Sequence, residues 1–375
     1  MFRTLNLQLL VCVVLWKFAC SCDVPSATTV GGTYAVQGTI CPGDVIFEET
    51  FDTFDLRKWS HEITLSGGGN WEFELYSNNR TNSFVDNGYL HIRPTLLADD
   101  VGEAFLSSGT LEVNGGGPGD QCTNPMSYGC LRTGTPSNIL NPIKSARIRT
   151  VDSFYFKYGR LEVSAKTPSG DWLWPAIWML PRFNQYGSWP ASGEIDILES
   201  RGNKNLELNG VNIGTQQVST TLQWGPNSNY NRDYQTHYEK NLAEGYDTGF
   251  HKYQLEWTPD KIAVSVDDVE IASVAPEDNF WNYGNFQNIN LDNPWKAGSK
   301  MAPFDQEFYL IINLAVGGIN YFDDQATNPG GKPWSNTSPT SATDFWNGRN
   351  QWGPTWNTQE GSSDFVVDYV KIFAI

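Results

Sequence analysis

Apolar and polar residues alternate in short runs along most of the chain, and helical periodicity is scarce. Gly88–Pro94 (GYLHIRP), Ser145–Thr150 (SARIRT), Gly159–Lys166 (GRLEVSAK) and Lys252–Thr258 (KYQLEWT) carry the two-residue period of half-buried strands. So do Ile262–Asp268, Glu307–Gly318 and Asp364–Phe373. Thirty-five Gly and twenty Pro cut the pattern into short pieces. Such a chain predicts an all-β fold, a sandwich of two antiparallel sheets rather than alternating βαβ units. Gly284–Met301 and Thr327–Gly361 read as long ordered loops at the ends or rim of that sandwich. With no Pro/Ser-rich linker, charge block or repeat, residues 45–375 read as one domain, preceded by a polar, Gly/Thr-rich arm at 22–44.

One strand breaks the pattern. In WPASGEIDILES, Trp189–Ser200, three carboxylates stand within six residues among Ile195, Ile197 and Leu198. Alternation puts Glu194 and Asp196 on one face and Ile195 and Ile197 on the other. Glu199, five residues after Glu194, falls on the wrong face of a regular strand. A β-bulge near Ile197–Leu198 returns it to the acid face, and bulges re-aim side chains beside active sites. An exposed acidic edge that resists aggregation is the plainer reading, but it leaves the flanking apolar residues and Trp189 unexplained. Two carboxylates on one face can hydrolyse a glycosidic bond; retaining enzymes hold them ~5–5.5 Å apart. Four effective steps separate the two Glu Cα atoms by ~13 Å, a span that two inward-leaning side chains close. Repulsion among three acids keeps at least one protonated near neutral pH.

The remaining chemistry narrows the setting. Residues 1–21 combine Arg3, an apolar run from Leu9 to Leu15 too short to span a bilayer, and small residues at Ala19 and Ser21. They read as a signal peptide cleaved after Ser21, which predicts a secreted, extracellular protein without a membrane anchor. Cys12 and Cys20 leave with it. Cys22, Cys41, Cys122 and Cys130 then allow three pairings, of which Cys22–Cys41 and Cys122–Cys130 are favoured. Asn79-Arg80-Thr81 and Asn336-Thr337-Ser338 are glycosylation sequons. A formal charge of −17 argues against nucleic acid, anionic lipid or sulfated polysaccharide as partner. Fifteen Trp and sixteen Tyr suit a neutral carbohydrate, on whose C–H faces aromatic rings stack. In DWLWPAIWML, alternation would set Trp172, Trp174 and Trp178 on one face, with core packing the rival reading for Trp172 and Pro175 a source of disturbance. No His/Cys cluster suggests zinc or iron, and nothing suggests more than a monomer.

The GEIDILE stretch resembles the signature of glycoside hydrolase family 16. Its bulged form is similar to that of the laminarinase-type endo-1,3-β-glucanases. The resemblance runs from about Val45 to Ile375, through FYFKYGRLEVSAKTPSGDWLWPAIWMLP, GFHKYQLEWTPDKI, FYLIINLAVGG and DYVKIF. It implies a β-jelly-roll with a concave cleft and retaining hydrolysis of β-1,3-glucan that needs no cofactor. It also implies roles: Glu194 as nucleophile, Glu199 as acid/base and Asp196 as assistant to the nucleophile. By the same resemblance Trp174, Trp178 and Trp189 would stack on sugar, and Asn82 and Arg147 would hydrogen-bond its hydroxyls. A structural calcium on the convex face would take Gly88 and Asp368. The family also holds glucan-recognition proteins that have lost the catalytic Glu residues and often carry an extra N-terminal module. Both Glu residues are present here, and the residues between Ser21 and Val45 are too few for such a module. Gln223 in TTLQWGP departs from the pattern, since many laminarinase-like members have His there. Recognition without cleavage, and transfer to a sugar in place of water, stay open beside hydrolysis.

Overall fold

The computed structural model describes Cys22 and residues 24–375, so the signal peptide expected over 1–21 lies outside the described residues. Among those residues two large antiparallel sheets, of nine and eight strands, face each other in a jelly-roll sandwich. The first runs from edge to edge through Thr29–Gly31, Tyr155–Lys157, Phe308–Val316, Leu173–Pro181, Glu194–Ser200, Gln217–Gln223 and His237–Asn241. Arg147–Arg149 also pairs with Phe308–Val316, and Ser60–His61 pairs with Arg147–Arg149. The second runs through Val269–Val274, Ile262–Val266, His251–Trp257, Gly159–Lys166, Phe365–Phe373, Tyr89–Ile92 and Ser83–Asp86, with Val45–Glu49 also pairing Phe365–Phe373.

The alternation in the sequence explains the layering. Leu161, Val163 and Ala165 point inward from Gly159–Lys166 and join one core with Ile177, Met179, Ile195, Ile197, Ile312 and Leu314. Leu161 is fully buried there, and cutting it to Ala would cost about 2–5 kcal/mol. All seven expected strands form, within two residues at each end for all but Ser145–Thr150, which is split at Ala146: Ser145 ends Ile143–Ser145, and Arg147–Arg149 follows.

Thr327–Gly361 is more ordered than a loop. It contains helices Ser341–Asn347 and Arg349–Trp352, which bury Phe345, Trp346 and Trp352. Gly284–Met301 stays largely irregular, yet it buries Phe286 and Trp295. The indole N–H of Trp295 donates to the Ala191 carbonyl at 2.7 Å and so braces the approach to Glu194.

The arm at 22–44 is part of the sandwich: Thr29–Gly31 pairs with Tyr155–Lys157 as an edge strand. Cys22–Cys41 ties it down and Cys122–Cys130 closes a surface loop, with Cα separations of 5.6 and 5.5 Å, so both favoured pairings occur. Asn79 is exposed at a turn, whereas the Asn336 amide is held between the Phe322 carbonyl and Lys332. No helix among the described residues is long and apolar enough to cross a membrane.

Candidate active site

The acid-bearing strand carries the bulge its spacing demands. Asp196 pairs with Thr221 and Glu199 with Ser219, so three steps on one strand face two on the other. The opposite neighbour shows the same offset, Trp178 pairing Asp196 and Ile177 pairing Leu198. Ile195, Ile197 and Leu198 are thereby buried in the core, while Glu194, Asp196 and Glu199 all line one groove of about 1080 Å³. Gly193 leads into the strand with φ +83°, and a Cβ there would sit 2.9 Å from the Phe304 ring. Only glycine meets both conditions.

Each acid has its own environment. Glu194 accepts from the Trp189 indole N–H at 2.9 Å, and Glu199 accepts from that of Trp174 at 3.0 Å. Asp196 is buried; its Oδ2 accepts from the Gln223 amide at 3.3 Å, and its side chain hydrogen-bonds Glu194. Burial is the largest influence on all three and penalises their charged forms. It pushes Glu194 up to about 7; the hydrogen bond from Asp196 opposes this and the Glu199 charge adds to it. Asp196 rises well above the ordinary range, through burial and then the charges of Glu194 and Glu199. Glu199 is raised by burial, against the Trp174 N–H and the charge of Arg201. All three acids of the row are thus shifted toward their neutral forms, with burial as the leading cause in each.

The groove floor follows the two-residue period. Trp174, Ala176, Trp178 and Leu180 face it from one strand, and Tyr309, Asn313 and Ala315 from the next. Pro175 does not disturb the alternation, but Trp172 lies before the strand at φ +70° and packs in the core against Phe322 and Trp334. Trp174 lies flat on Tyr321 (ring centroids 3.8 Å, interplanar angle 2°) and is only 8% exposed. Trp178 donates to Asn313 at 2.7 Å and lies 4.4 Å under the Arg147 guanidinium. Trp189, 47% exposed, offers the most open ring of the three. Arg147 lines the groove, buried and paired with Glu62 at 3.2 Å. Burial works against its charge, and Glu62 and Tyr76 outweigh it.

Asn82 is not in the groove. Its side chain is fully buried: the NH2 donates to the Arg93 and Lys144 carbonyls and to Thr95, and the oxygen is enclosed out of reach of a sugar. Asn313 and Tyr321 were not anticipated. The first had a signal, a lone amide inside the apolar run FYLIINLAV; the second, in a loop, had none. Gly88 and Asp368 lie on neighbouring stretches of the second sheet, where Val367 pairs with Leu90. Asp368 accepts from the Ser164 hydroxyl at 3.1 Å, and Gly88 closes a tight turn at φ +81°. Calcium takes six to eight oxygens. These two residues supply at most a fraction of that set, and no cluster of three or more His, Cys, Asp or Glu fit for a metal occurs among the described residues.

The glycosyl hydrolases family 16 model matches residues 132–307. A β-1,3-glucan-binding protein of Penaeus monodon is 52% identical over 336 residues, covering 88% of this chain and 90% of that protein. β-1,3-Glucan-binding protein 1 of Manduca sexta is 36% identical over 348 residues, covering 91% of this chain and 67% of that protein. Among solved structures, the laminarinase from Rhodothermus marinus superposes with a TM-score of 0.54 at 25% identity, over 89% of this chain and 98% of that one.

Proposed function

The chain belongs to glycosyl hydrolases family 16, and on that footing we propose that it is a secreted β-1,3-glucan hydrolase that acts inside the polymer with retention. The observation that carries this reading is the bulge: it brings all three acids to one groove wall. Glu194, held by Trp189 and Asp196, attacks the anomeric carbon. Glu199, whose neutral form burial favours, gives its proton to the departing oxygen as the glycosidic bond breaks. Glu199 then takes a proton from water, whose oxygen displaces Glu194 and restores it. The groove exceeds what one sugar ring fills and is lined by indoles and amides, which suits a neutral polymer. Two disulfides fit an oxidising compartment. Sugar would stack chiefly on Trp189, the ring with an open face.

The test is release of reducing ends from laminarin, beside lichenan, agarose and xyloglucan, by the parent and by Glu194→Gln. Rapid cleavage of laminarin that vanishes in the variant supports the reading. Equal rates in both proteins would sink it. A second reading is glucan recognition without cleavage. It is favoured by the likeness to the two β-1,3-glucan-binding proteins and by Gln223 on Asp196. Laminarin binding by the parent with no product would select it.

A further inference from the structure

Gln223 stands directly across the ladder from Glu194, and its amide touches Asp196. What fixes the direction of that amide lies eight residues on. Trp224 and the residues after it fold back tightly: the Arg232 N–H donates to the Trp224 carbonyl at 2.8 Å. A Cβ on Gly225 would lie 2.2 Å from the Tyr230 carbonyl oxygen, so this return needs glycine. The fold-back delivers Asn231 between Trp224 and Gln223.

A backbone N–H can only donate. The Trp224 N–H donates to Asn231 Oδ1 at 3.1 Å, which turns the NH2 of Asn231 the other way. That NH2 donates to Gln223 Oε1 at 2.7 Å. Gln223 then has only its own NH2 to offer Asp196, and Oδ2 accepts it at 3.3 Å. With Oδ2 occupied as an acceptor, a neutral Asp196 is left its other oxygen to carry the proton, and Glu194 is the acid with which its side chain shares a hydrogen bond. The Thr220 hydroxyl, bonded to the Asp196 carbonyl at 2.6 Å, holds the main chain meanwhile.

We propose that Asn231 is a positioning residue: acting through Gln223, it fixes which oxygen of Asp196 bears the proton and so keeps that proton aimed at Glu194. From the Trp224 main chain to Asp196 the relay passes only through the amides of Asn231 and Gln223, neither of which titrates. A His at 223 would break that polarity each time it gained or lost a proton. The inference deepens the hydrolase reading of the groove and rests on it for its kinetic consequence, but the proton placement itself can be read in the ligand-free protein. Charges that also bear on Glu194 and its row are Glu199 on the same strand, Arg147 across the groove, and Arg201, His237 and Asp233 near the far end. All of them stay constant in the variants below.

The experiment uses neutral substitutions: Gln223→Met, Asn231→Ala and the double variant. Trp189, whose indole N–H sits on Glu194, reports ionisation by its fluorescence, isolated as the difference from Trp189→Phe proteins. If the relay operates, losing it lets the Asp196 proton wander and deprives the Glu194 anion of a donor. The titration midpoint should then rise by about one pH unit in Gln223→Met and equally in Asn231→Ala, with no further rise in the double variant. The acidic limb of laminarin kcat should move with it, and kcat at neutral pH should fall roughly tenfold at unchanged KM. Asn231→Ser, which keeps an acceptor for Trp224 but no amide donor, stands in if Asn231→Ala does not fold. A parent-like midpoint in folded Asn231→Ala, or shifts that add in the double variant, would overturn the relay. Should the parent release no reducing ends at all, the hydrolase reading fails, while the titration still decides the relay.

Discussion

Glu74 and the acids of the Glu194–Ser200 strand are both driven toward neutrality by burial, and they differ in what surrounds them. Glu74 sits beneath the groove, fully enclosed, and is pushed up to about 8 by burial and then by Glu72. Its Oε2 accepts the Val316 N–H at 2.7 Å, and its other oxygen has no hydrogen-bond partner. The acids of the Glu194–Ser200 strand are raised by the same cause, yet they open onto a groove and lie beside one another. A shifted acid alone marks strain or structure; a row of them with access marks chemistry. The largest test of that distinction is Glu194→Gln against Glu74→Gln. Under the proposed mechanism Glu194→Gln lowers kcat on laminarin by roughly 10⁴-fold or more, whereas Glu74→Gln leaves kcat within a few-fold. Equal losses in the two variants would erase the distinction.

Glu74 has its own signature, in stability. Its folded-state pKa is raised, so its contribution is fully present below the unfolded value of 4.5 and is lost as pH rises through about 8. Between those limits the folded state binds more protons than the unfolded one, and stability falls with rising pH. The loss attached to this group is on the order of a few kcal/mol. Urea midpoints of Glu74→Gln should therefore decline less from pH 5 to pH 8.5 than those of the parent. In the groove the corresponding sign shows in rate. The Glu194–Asp196 pair must lose one proton to act, so kcat/KM drops as pH falls through about 7, as a property of the pair.

Access also ranks the indoles. Trp174 bonds Glu199 and stacks on Tyr321 with little surface left, whereas Trp189 bonds Glu194 and keeps an open face. Trp174→Phe should act mainly through the acid, lowering kcat about 10-fold or somewhat more by loss of a charge-assisted hydrogen bond. Trp189→Phe keeps a stacking ring and should disturb KM less than Trp189→Ala. Laminarin kinetics on the three variants separate the two roles.

What could be read from the chain follows from what leaves a local trace. Period-two runs such as GRLEVSAK reveal strands because each residue's face is decided by its neighbours. The count from Glu194 to Glu199 reveals the bulge, since only one inserted residue keeps both acids with Asp196. The helices at Ser341–Asn347 and Arg349–Trp352 left weaker marks: they are short, and Phe345 and Trp352 are buried by tertiary packing that no helical period announces. Tyr321 and Asn231 reach the groove from loops, whose paths depend on closures such as Gly225 against Tyr230. Asn313 had a trace, an amide amid aliphatics, and it binds both Trp178 and the Tyr76 hydroxyl.

Asn82 makes the converse point and the smallest prediction. A polar residue beside a sequon resembles a sugar ligand in one dimension, but here its amide N–H groups are spent on two carbonyls and Thr95, and its oxygen is buried without a partner. Its work is to tie the Ser83–Asp86 hairpin to the chain at Lys144, just ahead of the Arg147 strand that borders the groove. Removing it leaves two buried carbonyls short of a donor, which costs roughly 1–3 kcal/mol. Asn82→Ala should thus lower the urea midpoint while KM for laminarin stays at the parent value in the folded protein. A raised KM at parental stability would return Asn82 to the groove and weaken the rule that access, rather than residue type, separates the working polar groups from the structural ones.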